Sequence, residues 1–206
     1  MINNLKILSR REKNIEIFLA TIPYNSGNIS NRMTHIAITP CTNTDLTQLQ
    51  DVALRAYNDH YTYLWHDEGA WYIDRCFTEE ALGQELADPN AAFFLIHYKD
   101  ELVGFLKLNI DQALEGYSDE ECLELERIYL VKEASGIGIG KWAVDFTMQY
   151  ALEKNKRLVW LKAMDSSRSV DFYEQNGFVK CGTYELDFEK MKEMYRGMYV
   201  MKREVS

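Results

Sequence analysis

The stretch Leu123-Glu-Leu-Glu-Arg-Ile-Tyr-Leu-Val131, followed by Lys-Glu-Ala-Ser-Gly-Ile-Gly-Ile-Gly-Lys141, constrains the fold more than any other part of the chain. Its first half is rich in branched apolar residues and reads as a strand. Glycines then alternate at 136, 138 and 140, and Ile139, Trp142, Ala143, Phe146 and Tyr150 follow at helical spacing. A strand that turns through glycines into a helix is an α/β unit. Glycine lacks Cβ and allows close backbone approach. The free N–H groups and dipole of the helix start suit a phosphate, and Lys141 would add a charge. Within the strand, Leu123 and Leu125 are apolar in one phase of the pleat and Ile128 and Leu130 in the other. That one-residue slip predicts a β-bulge, which leaves backbone N–H and C=O groups free.

The flanking pattern is mixed. Ile36 to Thr39 reads as a strand ended by Pro40, and Leu46, Leu49, Val52, Leu54 and Ala56 carry a helical stripe. Residues 57–77 combine aromatic and acidic side chains, and Thr78-Glu-Glu80 opens a further helix. Ala91–Tyr98 and Leu102–Ile110 are apolar runs joined by Lys99-Asp100-Glu101, a hairpin pattern. Leu158–Ala163 is apolar apart from Lys162 and reads as a central strand covered on both faces. Ser167–Gln175 is a short helix stopped by Asn176-Gly177, and Phe178–Leu186 and Arg196–Lys202 are the last strands. Residues 1–32, basic and turn-rich, are expected to be a peripheral or disordered extension, with one domain over 33–206.

With 206 residues, 47% of them hydrophobic, the chain can bury one core. No apolar run reaches the roughly 20 residues of a membrane helix, and Ile17–Ile22 is too short for a secretory core. A cytoplasmic protein with no membrane partner is expected. The four cysteines are widely spaced and the four histidines lack metal-ligand spacing, so neither a disulfide framework nor a metal site is expected. Residues 1–32 carry a formal charge of +3 within a total of -9, which leaves -12 on the remainder. An acidic body disfavours nucleic acid and favours cationic small molecules; it also serves plain solubility.

Three nucleotide-type readings fit the glycine turn unequally. A Walker loop fails, because Ser135 stands at its first glycine and Trp142 at its Ser/Thr. Gly138-Ile-Gly140-Lys-Trp-Ala143 fits a dinucleotide fingerprint, with Asp165 at a suitable distance, but too little chain follows to complete that fold. In the third reading, Ser135-Gly-Ile-Gly138-Ile-Gly140 resembles the coenzyme A loop, Gln/Arg-x-x-Gly-x-Gly/Ala, of the GNAT superfamily of N-acetyltransferases. About 30 residues on, Phe172-Tyr173-Glu-Gln-Asn-Gly177-Phe178 resembles that family's F-Y-x-x-x-G-F. A glycine turn with no ligand stays open as the plain alternative. Within the superfamily the likeness is greatest to bacterial spermidine/spermine N-acetyltransferases of the PaiA type. It runs through Phe93-Phe94-Leu-Ile, Gly104–Asp111, Leu123–Tyr129, Ala151–Lys156 and Trp160-Leu161, while the superfamily resemblance as a whole covers roughly Thr34 to Arg203. Two positions depart: Ser135 replaces a long polar side chain, and Ser166 stands where the family often has Asn.

The resemblance implies a mixed sheet with a V-shaped splay, helices on both faces, and acetyl-coenzyme A as cosubstrate with no metal. It implies that residues Ser135, Gly136, Ile137, Gly138, Ile139, Gly140 and Lys141 bind the pyrophosphate. The backbone of Ile128, Tyr129 and Leu130 would hold the pantetheine and acetyl groups, with Ser166 and Tyr173 as further contacts. Tyr173 would be the acid, or else a packing tyrosine. Glu126 would be the base through water, with Glu124 as the alternative; an ion pair with Arg127 is the competing reading of Glu126. Asp67 and Glu68, in the aromatic and acidic stretch, are candidates to bind a small-molecule amine; a helical hairpin packed on the sheet explains that stretch equally well. The expected reaction is acetyl transfer to a primary amine, polyamines first. Another amine acceptor, a non-catalytic coenzyme A-binding regulator and a nicotinamide enzyme remain alternatives, and a homodimer is compatible with all of them.

Overall fold

The computed structural model describes residues 35–206, so the extension expected over 1–32 lies outside the described residues. Strand β1 (Ile36–Pro40) leads through a 3-10 turn into helix α1 (Leu46–His60), followed by α2 (Ala70–Cys76) and α3 (Glu79–Leu86). The hairpin β2 (Ala91–Tyr98) and β3 (Glu101–Asn109) follows, then β4 (Cys122–Leu130), α4 (Ile139–Glu153) and β5 (Leu158–Met164). Helix α5 (Ser169–Gln175) and strands β6 (Val179–Glu185) and β7 (Gly197–Glu204) complete the domain. The sheet has seven strands in the order β1-β2-β3-β4-β5-β7-β6; only the β4–β5 pair is parallel. The β2–β3 turn puts Lys99 at φ 51° and Asp100 at φ 67°, the left-handed geometry that matches the twist of a two-residue hairpin.

Helices cover both faces. Helix α1 turns Leu49, Val52, Ala53, Ala56 and Tyr57 inward as one buried stripe over β3 and β4. Helix α4 packs on the opposite face, where Phe146 and Tyr150 meet Phe94 of β2 edge-on at 4.8 and 5.4 Å. Strand β5 is central and mostly buried, as its apolar run predicts, though Lys162 remains partly open. The aromatic stretch after residue 57 resolves into the last turn of α1, a 3-10 turn at Thr62–Leu64 and the short α2.

Two irregularities shape the centre of the sheet. Lys107 opposes Arg127 while Leu108 opposes Leu125, so Glu126 has no partner across the ladder. This is the predicted bulge. Parallel pairing of β4 with β5 stops after three rungs, at Glu124↔Trp160. Beyond it β4 stays with β3 and β5 stays with β7, and the sheet opens as a V.

Gly104 lies beside the unpaired part of β4. A Cβ there would run into the carbonyl oxygen of Tyr129 and the side chain of Leu130. Gly104→Ala is therefore expected to destabilise the fold by about 1–3 kcal/mol, read as a lower melting temperature.

Candidate active site

The glycine turn sits at the open end of the V. After β4, a short 3-10 turn (Lys132–Ala134) delivers the chain to Ser135, and Gly138, at φ 96°, is the N-cap of α4. A side chain at Gly138 would be strained, because left-handed backbone costs an L-residue roughly 1–2 kcal/mol. Buried Ile139 anchors the helix start in the core. None of the backbone N–H groups of residues 136–141 donates to an acceptor among the described residues; the first helical bond is Trp142 N–H to the Gly138 carbonyl at 3.1 Å. Six successive free donors at the positive end of a helix form an anion cradle. Ser135 turns its hydroxyl to within 3.4 Å of the Val131 carbonyl. Lys141 pairs with Asp145 at 2.7 Å, an exposed and therefore weak contact that leaves the lysine free to move. The second motif touches the first directly: a Cβ on Gly140 would come within 3.3 Å of the Phe172 ring.

The backbone of Ile128, Tyr129 and Leu130 lies on the stretch of β4 that has no rung to β5. Tyr129 on this stretch neighbours two further tyrosines. The Tyr129 ring is 5.0 Å from that of Tyr61, and Tyr61 is close enough to Tyr173 on α5 to perturb its ionisation. Burial, reinforced by Tyr61, pushes the Tyr173 hydroxyl above its ordinary value, so it keeps its proton. Ser166 is exposed in the turn between β5 and α5.

Glu126 and Glu124 sit at the throat of the V within a network that sequence reading did not assemble. Glu126 contacts Lys107 at 2.7 Å and Arg127 at 3.0 Å, and accepts from Asn109 Nδ2 at 2.9 Å. Lys107 and Arg127 both reach Glu85 of α3, at 2.6 and 2.9 Å. Asn109 Nδ2 also donates to Glu124 at 2.7 Å, and Lys162 holds the other oxygen of Glu124 at 2.9 Å. Three carboxylates and three cations thus balance on one face of the sheet. The ion pair with Arg127 exists, as the competing reading of Glu126 held, and Lys107, Asn109 and Glu85 extend it. Burial would raise the Glu126 carboxyl, but Arg127 and Lys107 outweigh it and hold the group below its ordinary 4.5.

Asp67 and Glu68 are not part of this network. Asp67 accepts from the backbone N–H groups of Gly69 (3.2 Å) and Trp71 (3.0 Å), and so caps α2. Glu68 is exposed at φ 57°. Nearby, residues between β6 and β7 cross to the segment after α1. Trp65 pairs with Met191, His66 N–H donates to the Lys190 carbonyl at 3.0 Å, and Lys192 N–H donates to the Leu64 carbonyl at 2.9 Å. Phe188 packs against Trp65 and Trp71 at 5.9 and 5.5 Å. This clasp ties the two halves of the split sheet together. No group of three or more His, Cys, Asp or Glu side chains able to hold a metal occurs among the described residues.

A carboxyl with a depressed folded-state value stabilises the fold above its unfolded value, and that stability is lost as pH falls through the folded value. Glu126→Gln should therefore lose about 1–3 kcal/mol at neutral pH, because Lys107 and Arg127 lose compensating charge. The variant should also show a flatter fall in melting temperature below about pH 4.5 than the parent protein.

Known proteins share this architecture. A protein described as an uncharacterized N-acetyltransferase in the pepI 3' region of Lactobacillus delbrueckii subsp. lactis is 28% identical over 150 residues, 72% of this chain and 87% of that one. Among solved structures, the PaiA N-acetyltransferase of Thermoplasma acidophilum, in complex with coenzyme A, superposes with a TM-score of 0.62 at 22% identity, covering 82% of this chain and 98% of that one. A spermidine N-acetyltransferase SpeG mutant from Vibrio cholerae gives 0.62 at 18%, covering 84% and 95%. A ribosomal-protein-alanine N-acetyltransferase from Brucella melitensis gives 0.62 at 19%, covering 81% and 98%. The family model described as Acetyltransferase (GNAT) family matches residues 50–178, a span from α1 through the glycine turn and the splay to Phe178, and the chain belongs to that family.

Proposed function

We propose that the protein transfers an acetyl group from acetyl-coenzyme A to a primary amine, with polyamines such as spermidine or spermine as the acceptor class. The observation that carries this reading is the row of six N–H groups at residues 136–141 with no acceptor among the described residues, beside a stretch of β4 with one edge unpaired. The row fits a pyrophosphate, and the unpaired edge of Ile128, Tyr129 and Leu130 fits the amide-bearing pantetheine arm. Acetyl-coenzyme A supplies a reactive thioester when bound. The polyamine reading draws on the acidic body, on carboxylates and aromatic rings near the throat, and on the PaiA and SpeG structures among the neighbours. Glu68 and Ser166 are exposed, whereas the Asp67 carboxylate is taken up by its helix cap. Four unbridged cysteines agree with action in a reducing cytoplasm.

Each proton has a named carrier. An amine near neutral pH must lose a proton before its lone pair can attack. Glu126 stays ionised throughout that range and, through a water, relays the proton to solvent rather than retaining it, because Arg127 and Lys107 lower its proton affinity. Free N–H groups on the unpaired β4 edge are the donors available to the carbonyl oxygen as it gains charge. Tyr173, which is protonated at neutral pH, is the donor to the departing thiolate.

A non-catalytic coenzyme A-binding regulator is the second reading, favoured by Ser135, whose short side chain turns back to Val131. Free-thiol release from acetyl-coenzyme A across an amine panel led by spermidine and spermine separates the two. Turnover is expected; coenzyme A binding without turnover on any amine would select the regulator. In the same assay Tyr173→Phe should lower kcat by about 100-fold, with little change in the KM for acetyl-coenzyme A. Gly138→Ala should instead weaken coenzyme A binding, by about 10-fold for a strain of about 1.4 kcal/mol carried into the cradle, read by calorimetry.

A further inference from the structure

Lys162 interrupts an otherwise apolar central strand. It lies two residues beyond Trp160, the last residue of β5 paired to β4, where the V has begun to open. Its ammonium meets Glu124 Oε1 at 2.9 Å and sits 4.7 Å from the centre of the Trp160 ring and 5.4 Å from that of Tyr184. A carboxylate flanked by two aromatic rings has the composition of an alkylammonium receptor.

The members of this box are unequally fixed. The Glu124 side chain is 8% exposed, whereas that of Lys162 is 31% exposed and Tyr184 is 49% exposed. The other two cations of the network, Lys107 and Arg127, are 9% and 8% exposed, and each binds both Glu85 and Glu126. Lys162 alone binds a single carboxylate and can withdraw to solvent. Being partly exposed, the Lys162 ammonium regains hydration when it withdraws, so the cost of withdrawal falls on Glu124. Removing its charge leaves the buried Glu124 short of one positive charge, a deficit that another ammonium fills without disturbing the balance.

We propose that Glu124, Trp160 and Tyr184 form a primary-ammonium site which Lys162 occupies in the absence of acceptor, and that the acceptor enters by displacing this lysine. An ammonium held by Glu124 keeps its proton and is no nucleophile. The acceptor therefore carries a second amino group that reacts, which makes it a diamine or polyamine and not a monoamine. Anionic acceptors are disfavoured, since they cannot replace the lost positive charge. The proposal rests on the reading of the protein as an amine acetyltransferase and deepens it.

Calorimetric titration of the full chain with spermidine, in the absence of acetyl-coenzyme A, tests the site apart from turnover. Lys162→Met keeps an apolar stem on the two rings and removes the competing ammonium, so spermidine should bind it about 10-fold more tightly than the parent, a gain of about 1.4 kcal/mol. Glu124→Gln should weaken binding about 10-fold in either background. Lys162→Gln, which retains a hydrogen-bond donor without the charge, should move in the same direction as Lys162→Met and guards against a folding defect, checked by thermal melting. Equal or weaker binding to a folded Lys162 variant, or no binding to any form, overturns the proposal. The expected binding pattern without thiol release would retain the ammonium site and reject polyamine acetylation.

Discussion

The loss of pairing between β4 and β5 after Glu124↔Trp160 is the constraint on which the rest of the site depends. A sheet that parts at its centre exposes backbone that would otherwise be satisfied, and such groups demand partners. Strand β4 needs β3 on its other edge to stay extended, and β5 needs β7; both ladders run the full length of the opening. The bulge at Glu126 lies at the start of this opening, and bulges bend and twist the strand that contains them. The glycine turn and α5 then follow directly from the C-terminal ends of the two diverging strands. Donors for an anion, free backbone for an amide-rich chain, and Tyr173 thus come to the same end of the sheet.

Buried charge at the throat has its own logic. Three carboxylates and three cations in one contiguous network cost desolvation but satisfy one another. Their arrangement is graded: Lys107 and Arg127 are enclosed and doubly bound, while Lys162 is singly bound and partly open.

Much of this was legible in the sequence where the signal was local. The slip between Leu125 and Ile128 marked the bulge, and the ladder skips Glu126 within that interval. The alternating glycines marked the start of α4, and the apolar run at 158–163 marked a central strand. Signals that depend on distant partners were not legible. Lys107 and Glu85 meet Glu126 only through the β3–β4 register and the seating of α3, neither of which leaves a local pattern. Helix α2 has seven residues, too few turns for a periodicity to stand out among aromatic neighbours. Asp67 illustrates the ambiguity of an acidic residue in such a segment: the same carboxylate that could attract a cation is the group a helix start recruits as its cap.

The clasp also bears on how the molecule assembles. Lys192 Nζ donates to the Tyr63 carbonyl at 2.8 Å across 129 positions of sequence, and Trp65 meets Met191 over a comparable span. Contacts of such long range form only after the intervening chain has ordered, because the entropy of closing the loop must be met first. The clasp therefore depends on the β6–β7 hairpin, whose connection carries residues 187–196. Loosening that hairpin would release residues 64–66 from 190–192 at once, although the two segments lie far apart in sequence.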